Sequence, residues 1–127
     1  MNRNYNNGAR RERRIMKKLE QEGWFCIRSA GSHSPIDIIA MMPFVDYKKK
    51  LEKGIIKEEQ YDEYGTSKVN FMKQDWLSKP VVNGISDEEL TTVVRFIQSK
   101  KTGYLTPQER KEKEELEQKL SISIEVM

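Results

Sequence analysis

The apolar run from Ile36 to Met42 is interrupted at its second position by one carboxylate, Asp37, and this feature most constrains what the chain can fold into. The run reads as a buried strand, and the small-residue stretch 29–35 in front of it reads as a loop. An ionised carboxylate facing a core costs several kcal/mol unless a cation or metal neutralises it. Asp37 therefore either demands a partner from elsewhere in the chain or turns back to cap the loop through its own backbone.

Around this strand the pattern reads as an α/β domain. Residues 1–7 hold four Asn and no apolar periodicity, as in a loose arm. From Gly8 a helix is predicted, with Ile15, Met16 and Leu19 as its apolar stripe and Gly23 as its stop. Residues 24–28 read as a strand and 36–42 as the next. Residues 43–91 shift to Lys, Glu, Tyr and Asp and are too many for an ordinary connection, so they read as an insertion, with a short helix over 48–57. Order returns with a β-branched strand over 92–100. Thr106, Pro107 and Glu109 mark a helix start, with Thr as N-cap, Pro at the first helical position and Glu three residues after the cap. That helix runs to about Leu120. Ile122, Ile124 and Val126 alternate with Ser123 and Glu125, predicting a last strand with one buried face. The expected domain is single, over 1–127, in the order α-β-β-insertion-β-α-β on a small mixed sheet flanked by helices.

Composition narrows the function classes. No apolar stretch approaches the length of a membrane span, and residues 1–14 lack the apolar core of a secretory signal, so a cytoplasmic protein is expected. One cysteine, Cys26, and one histidine, His33, leave no disulfide framework and no zinc ligand set. The net charge of +3 is modest, yet the first 28 residues alone carry +5. A basic end on a near-neutral body fits a surface that tracks phosphates, and equally a helix with a solvated basic face.

Three placements converge on a site. Glu12 precedes Ile15, Met16 and Leu19 by three, four and seven residues, so helical spacing sets it on the apolar stripe, facing the sheet. Its alternative is an ion pair with Arg13 or Lys17 at the edge of that stripe. Gln98 and Lys100, two apart at a strand end, leave the same face, either into a site or simply into solvent. If the strands carrying Asp37 and Gln98 pair, Asp37, Gln98 and Lys100 meet. A hard divalent cation takes carboxylate and amide oxygens together with water. Asp37 and Gln98 would then be ligands, Glu12 would bind through water, and Lys100 would orient the attacking water and balance phosphate charge.

The segments Gly8–Arg13 (GARRER), Arg28–Ser32 (RSAGS) and Asp37–Ala40 (DIIA) resemble the archaeal-type Holliday junction resolvases of the PD-(D/E)XK nuclease superfamily. Residues 94–100 and 103–110 look like that family's third strand and following helix, a pattern also found in phage relatives. The resemblance covers about 8–42 and 92–127 and leaves 43–91 without a counterpart. It implies a restriction-endonuclease-like fold and a Mg²⁺-dependent (or Mn²⁺-dependent) phosphodiesterase site built from Glu12, Asp37, Gln98 and Lys100. Ser32 and Ser34 fall in the loop where the family places a serine on the scissile phosphate. Arg10, Arg13 and Arg28, with Ser32, match positions that touch DNA. The implied assembly is a homodimer on branched double-stranded DNA, in the host cytoplasm if the chain is viral. One departure stands out: the family's Glu-x-Lys reads Gln98-Ser99-Lys100, which removes a negative charge from the metal site. A related nuclease acting on flaps, nicks or duplex, and a junction-binding protein that no longer cuts, are the competing expectations.

Overall fold

The strands of this chain form one mixed sheet in the order β1 (Phe25–Arg28), β2 (Ile38–Pro43), β4 (Thr91–Gln98), β3 (Asn70–Lys73), with β5 (Ile124–Val126) also on β4. The computed structural model describes residues 3–29, 35–57, 69–73, 91–100 and 104–127. β1, β2, β4 and β3 pair antiparallel, whereas β5 lies parallel to β4. β4 is thus the central strand, and its far edge is shared. β3 takes Thr91–Val94 and β5 takes Phe96–Gln98. Asn70 closes the gap between them: its Nδ2 donates to the Val94 and Ser123 carbonyls at 3.2 and 2.9 Å, and its Oδ1 accepts the Ser123 N–H at 2.7 Å.

Helix α1 (Arg3–Gln21) starts before the expected Gly8. Once a packed stripe nucleates a helix, extending it by a few Asn-rich residues costs little, so part of the expected loose arm is helical. Ala9 and Leu19 are buried and Ile15 and Met16 pack against the core. The helix ends in a Schellman motif. Trp24 N–H donates to the Leu19 carbonyl at 3.1 Å and Gly23 N–H to the Glu20 carbonyl at 3.0 Å, with Gly23 at φ +99°. Leu19 and Trp24, the pair such a motif brings together, both lie in the core.

That core is Leu19 and Trp24 against Ile38, Ala40, Met42, Val93 and Ile97, closed by Tyr47 and Ile56. Tyr47 belongs to helix α2 (Phe44–Glu52), which stands earlier than the helix expected over 48–57. The reason is register: Phe44, Tyr47 and Leu51, at i, i+3 and i+7, turn one face onto the core. Among its described residues, segment 43–91 therefore supplies the buried core side chains Tyr47 and Ile56, the flanking Phe44, Leu51 and Val69, and an edge strand. Lys50 of α2 also donates its Nζ to the Glu22 carbonyl at 2.7 Å, setting a cation at the negative end of α1.

Helix α3 (Pro107–Leu120) begins as its sequence predicts. Thr106 accepts the Glu109 N–H and Glu109 accepts the Thr106 N–H, a reciprocal capping box. The last strand departs from expectation, because Glu125 is 1% exposed rather than facing water. Arg95 holds it by two bonds, Nε to Oε1 at 2.6 Å and a terminal nitrogen to Oε2 at 2.9 Å, while its guanidinium lies 5.2 Å from the Trp24 ring centroid. No helix among the described residues is long and apolar enough to cross a membrane.

Candidate active site

Asp37 stands where β1, β2 and β4 meet. Its carbonyl accepts the Ser29 N–H at 2.8 Å, which closes the loop between β1 and β2. Its own N–H donates to the Ile97 carbonyl at 2.8 Å, although Ile38 is the residue registered with Ile97. Two consecutive residues thus oppose one, a bulge-like start to β2 that re-aims the carboxylate. Asp37 Oδ2 accepts the Ser99 N–H at 2.8 Å, across 62 residues of sequence. The carboxylate ties β2 to the end of β4 and does not cap its own loop.

Several charged groups act on this carboxylate. Burial pushes the Asp37 carboxyl above its ordinary range, the Ser99 amide opposes that, Glu12 adds to it, and Lys100 and Arg11 work against it. Residues of α1, the start of β2 and the end of β4 are therefore within electrostatic reach of one another. A partly desolvated carboxylate with a second one nearby is an arrangement that a cation stabilises.

Glu12 shares the α1 stripe with Ala9, Met16 and Leu19, as its spacing predicts, and turns away from water. Its partner is neither Arg13 nor Lys17, both exposed. Arg28 on β1 takes that place, Nε to Oε2 at 2.5 Å, with the two side chains 19% and 15% exposed. Arg28, which the family resemblance places on DNA, thus directs its Nε to Glu12. Arg10 and Arg13 are exposed on α1. Ser32 and Ser34 lie outside the described residues.

Gln98, the last residue of β4, is buried, and its Oε1 has no hydrogen-bond partner among the described residues. A buried amide oxygen left so costs about 1–3 kcal/mol; Ser99 Oγ beside it and Trp24 Nε1 share that condition among the described residues, and the two oxygens mark the end of β4 as a place where a ligand could be held. Lys100 lies two residues beyond, with its N–H on the Met127 carbonyl at 2.8 Å and its Nζ 2.5 Å from Glu109 Oε2. Glu109 is the site-proximal residue that sequence reasoning missed. The capping-box signature located it on the first turn of α3, but nothing in the sequence showed that this turn returns to the end of β4.

No group of three or more His, Cys, Asp or Glu side chains forms a metal site among the described residues. The donors here are two carboxylates, Glu12 and Asp37, and the orphaned Gln98 oxygen, an all-oxygen set that suits a hard divalent cation.

The class these features define is a mixed α/β domain compatible with the restriction-endonuclease-like fold, with two acidic side chains, an amide and a lysine gathered around the ends of its central strands. Residues 3–60 match the family model of the archaeal Holliday junction resolvases (Hjc), a family of nucleases that act on DNA junctions. The match contains Glu12, Arg28 and Asp37 and ends before β4, so Gln98 and Lys100 rest on geometry alone. No curated protein and no solved structure matches the chain.

Proposed function

We propose that this chain is a metal-dependent, structure-selective DNA endonuclease that resolves four-way junctions by phosphodiester hydrolysis. The observation that carries the reading is the Asp37 carboxylate, inside the resolvase match, pinned to the end of β4, whose last residue Gln98 carries a buried oxygen with no partner among the described residues. Asp37 and Gln98 would hold Mg²⁺ or Mn²⁺ directly and Glu12 through water. When bound, the ion supplies Lewis-acid stabilisation of phosphate charge and a more acidic water. Lys100 would set the nucleophilic water and offset the charge that grows on the phosphate. Arg28 holds Glu12 in orientation, and Arg10 and Arg13 on the exposed side of α1 contact backbone phosphates.

Two strands of a junction must be cut symmetrically, so the working unit is a homodimer with one site per arm. The exposed Phe25 and Ile27, which alternate along the edge strand β1, provide apolar surface for such an assembly. A second reading is favoured by Gln98 itself. With one carboxylate fewer, the domain would bind junctions without cutting them.

A synthetic four-way junction incubated with the protein in Mg²⁺ and in EDTA separates these. Symmetric nicks in Mg²⁺ alone, reduced by several orders of magnitude in Asp37→Asn with junction binding retained, support the endonuclease. Binding without nicks in Mg²⁺ and in Mn²⁺ supports the second reading. Nicking by Asp37→Asn at the wild-type rate would sink the site assignment.

A further inference from the structure

Lys100 lies at the site, yet its ammonium is held from outside β4, by the first turn of α3. Glu109 Oε2 receives Lys100 Nζ at 2.5 Å, and both side chains are less than one-third exposed. The other oxygen of the same carboxylate accepts the Thr106 N–H at 3.1 Å, and the Glu109 N–H is returned to Thr106 Oγ1 at 3.2 Å. Glu109 is therefore fixed by the helix cap it completes, which makes it a rigid anchor for a long and otherwise flexible lysine. The main chain of Lys100 is fixed independently: its N–H meets the Met127 carbonyl at 2.8 Å, and Met127 N–H meets the Gln98 carbonyl at 2.9 Å.

Charge points the same way. Glu12 is offset by Arg28, and Lys100 opposes the effect of Glu12 on Asp37. With Gln98 neutral, these four side chains sum to zero. Arg11, which also acts on Asp37, and Glu109 add one charge of each sign, so Glu109 offsets the cations around Asp37 and keeps the cluster neutral. The Lys100 bond holds the Glu109 carboxyl below its usual range, so the carboxylate stays ionised wherever the lysine is charged.

We propose that Glu109 is a positioning residue of the nuclease site: from the capped N-terminus of α3 it holds the Lys100 ammonium in place. The inference rests on the endonuclease reading, and it assigns α3 a role in catalysis besides packing. Glu109 need not touch DNA or metal, because it acts through Lys100.

A double-mutant cycle tests it. Single-turnover cleavage of a synthetic junction is measured for wild type, Glu109→Gln, Lys100→Ala and the double variant, with junction affinity in EDTA and melting temperature recorded for each. Glu109→Gln keeps an oxygen for the Thr106 N–H and loses the charge. It is expected to lower the cleavage rate at least tenfold and to leave affinity in EDTA within twofold. In the Lys100→Ala background the same change alters the rate less than twofold, because the route through the lysine is gone. Glu115→Gly, on the exposed face of α3, controls for helix stability: it lowers the melting temperature by a few degrees and leaves the cleavage rate within twofold. Additive rate losses in the cycle, or a Glu115→Gly loss equal to that of Glu109→Gln, would overturn the inference while the nuclease reading stands. A wild-type protein that makes no cut in Mg²⁺ or Mn²⁺ overturns both.

Discussion

Replacing Gln98 by methionine isolates the energetic signature of a ligand position, because the two effects it produces have opposite signs. Methionine has nearly the volume of glutamine and lacks the oxygen that stands buried and unpartnered in Gln98. Deleting such an oxygen relieves about 1–3 kcal/mol of desolvation cost. For 127 residues, 1 kcal/mol moves the melting temperature by about 4 °C. In EDTA, Gln98→Met should thus melt no lower than wild type and as much as about 10 °C higher. In Mg²⁺ that gap narrows. At ten times its Kd the ion stabilises wild type by about 1.4 kcal/mol, or about 6 °C, and the variant loses most of that gain together with cleavage. Gln98→Glu reports the converse: a third carboxylate lowers the melting temperature in EDTA and lowers the Mg²⁺ concentration needed for half-maximal cleavage. Thermal melts followed by circular dichroism across a Mg²⁺ titration read all of these shifts. A Gln98→Met protein that melts several degrees lower in EDTA, with its Mg²⁺ shift intact, would refute the reasoning and make Gln98 an ordinary structural amide.

Three other perturbations follow from the same geometry. Burial first, then Glu20, holds the Cys26 thiol up at about 11, with Arg95 opposing. Iodoacetamide labelling of the native protein at pH 8 should therefore be much slower than labelling of the unfolded chain. Because the native thiol keeps its proton to higher pH, stability is lost as pH rises from 9.0 to about 11, and Cys26→Ser removes that component; fast native labelling at pH 8 would contradict it. Arg13→Ala should lower the slope of log affinity against log salt by about one, whereas Arg28→Ala also changes the Mg²⁺ requirement by releasing Glu12; identical effects of the two in a salt and Mg²⁺ titration would argue against the Glu12–Arg28 pair. Glu125→Gln should destabilise the fold by about 3 kcal/mol in urea, since Arg95 stays buried without its full partner, and the double variant Arg95→Met/Glu125→Met should recover most of that loss; a cost below about 1 kcal/mol would make the pair behave like a surface bridge.

Much of this arrangement could be read from the chain because its signals are local. The Glu12 spacing against Met16 and Leu19, the Gly23 stop, the Thr106 to Glu109 cap and the carboxylate at the head of the Ile38 strand each lie within one helical turn or one strand, where periodicity and capping chemistry act. What could not be read depends on which elements meet. Glu125 alternates with apolar residues and reads as solvent-facing; only the parallel pairing of Ile97 with Glu125 brings it beside Arg95. Arg28 reads as a free basic residue until β1 is set alongside α1. The helix of segment 43–91 starts at Phe44, ahead of the expected Lys48, because its charged residues hide the Phe44, Tyr47 and Leu51 face in the sequence.

Those long-range pairings explain why the site gathers where it does. β4 carries two kinds of position along one strand. Val93 and Ile97 anchor the core, and the segment from Gln98 to Lys100 leaves the sheet just as Asp37 enters it. Three partners fix that exit: Asp37 through the Ser99 amide, Met127 through the main chain on both sides, and Glu109 through the Lys100 side chain. The β5 and α3 contacts thus have the same consequence as the core contacts, since each limits how far Gln98 and Lys100 can drift from Asp37. Catalytic geometry tolerates displacements of well under an ångström. A change that loosens only the Met127 or Glu109 tether is therefore expected to cost activity before it costs stability.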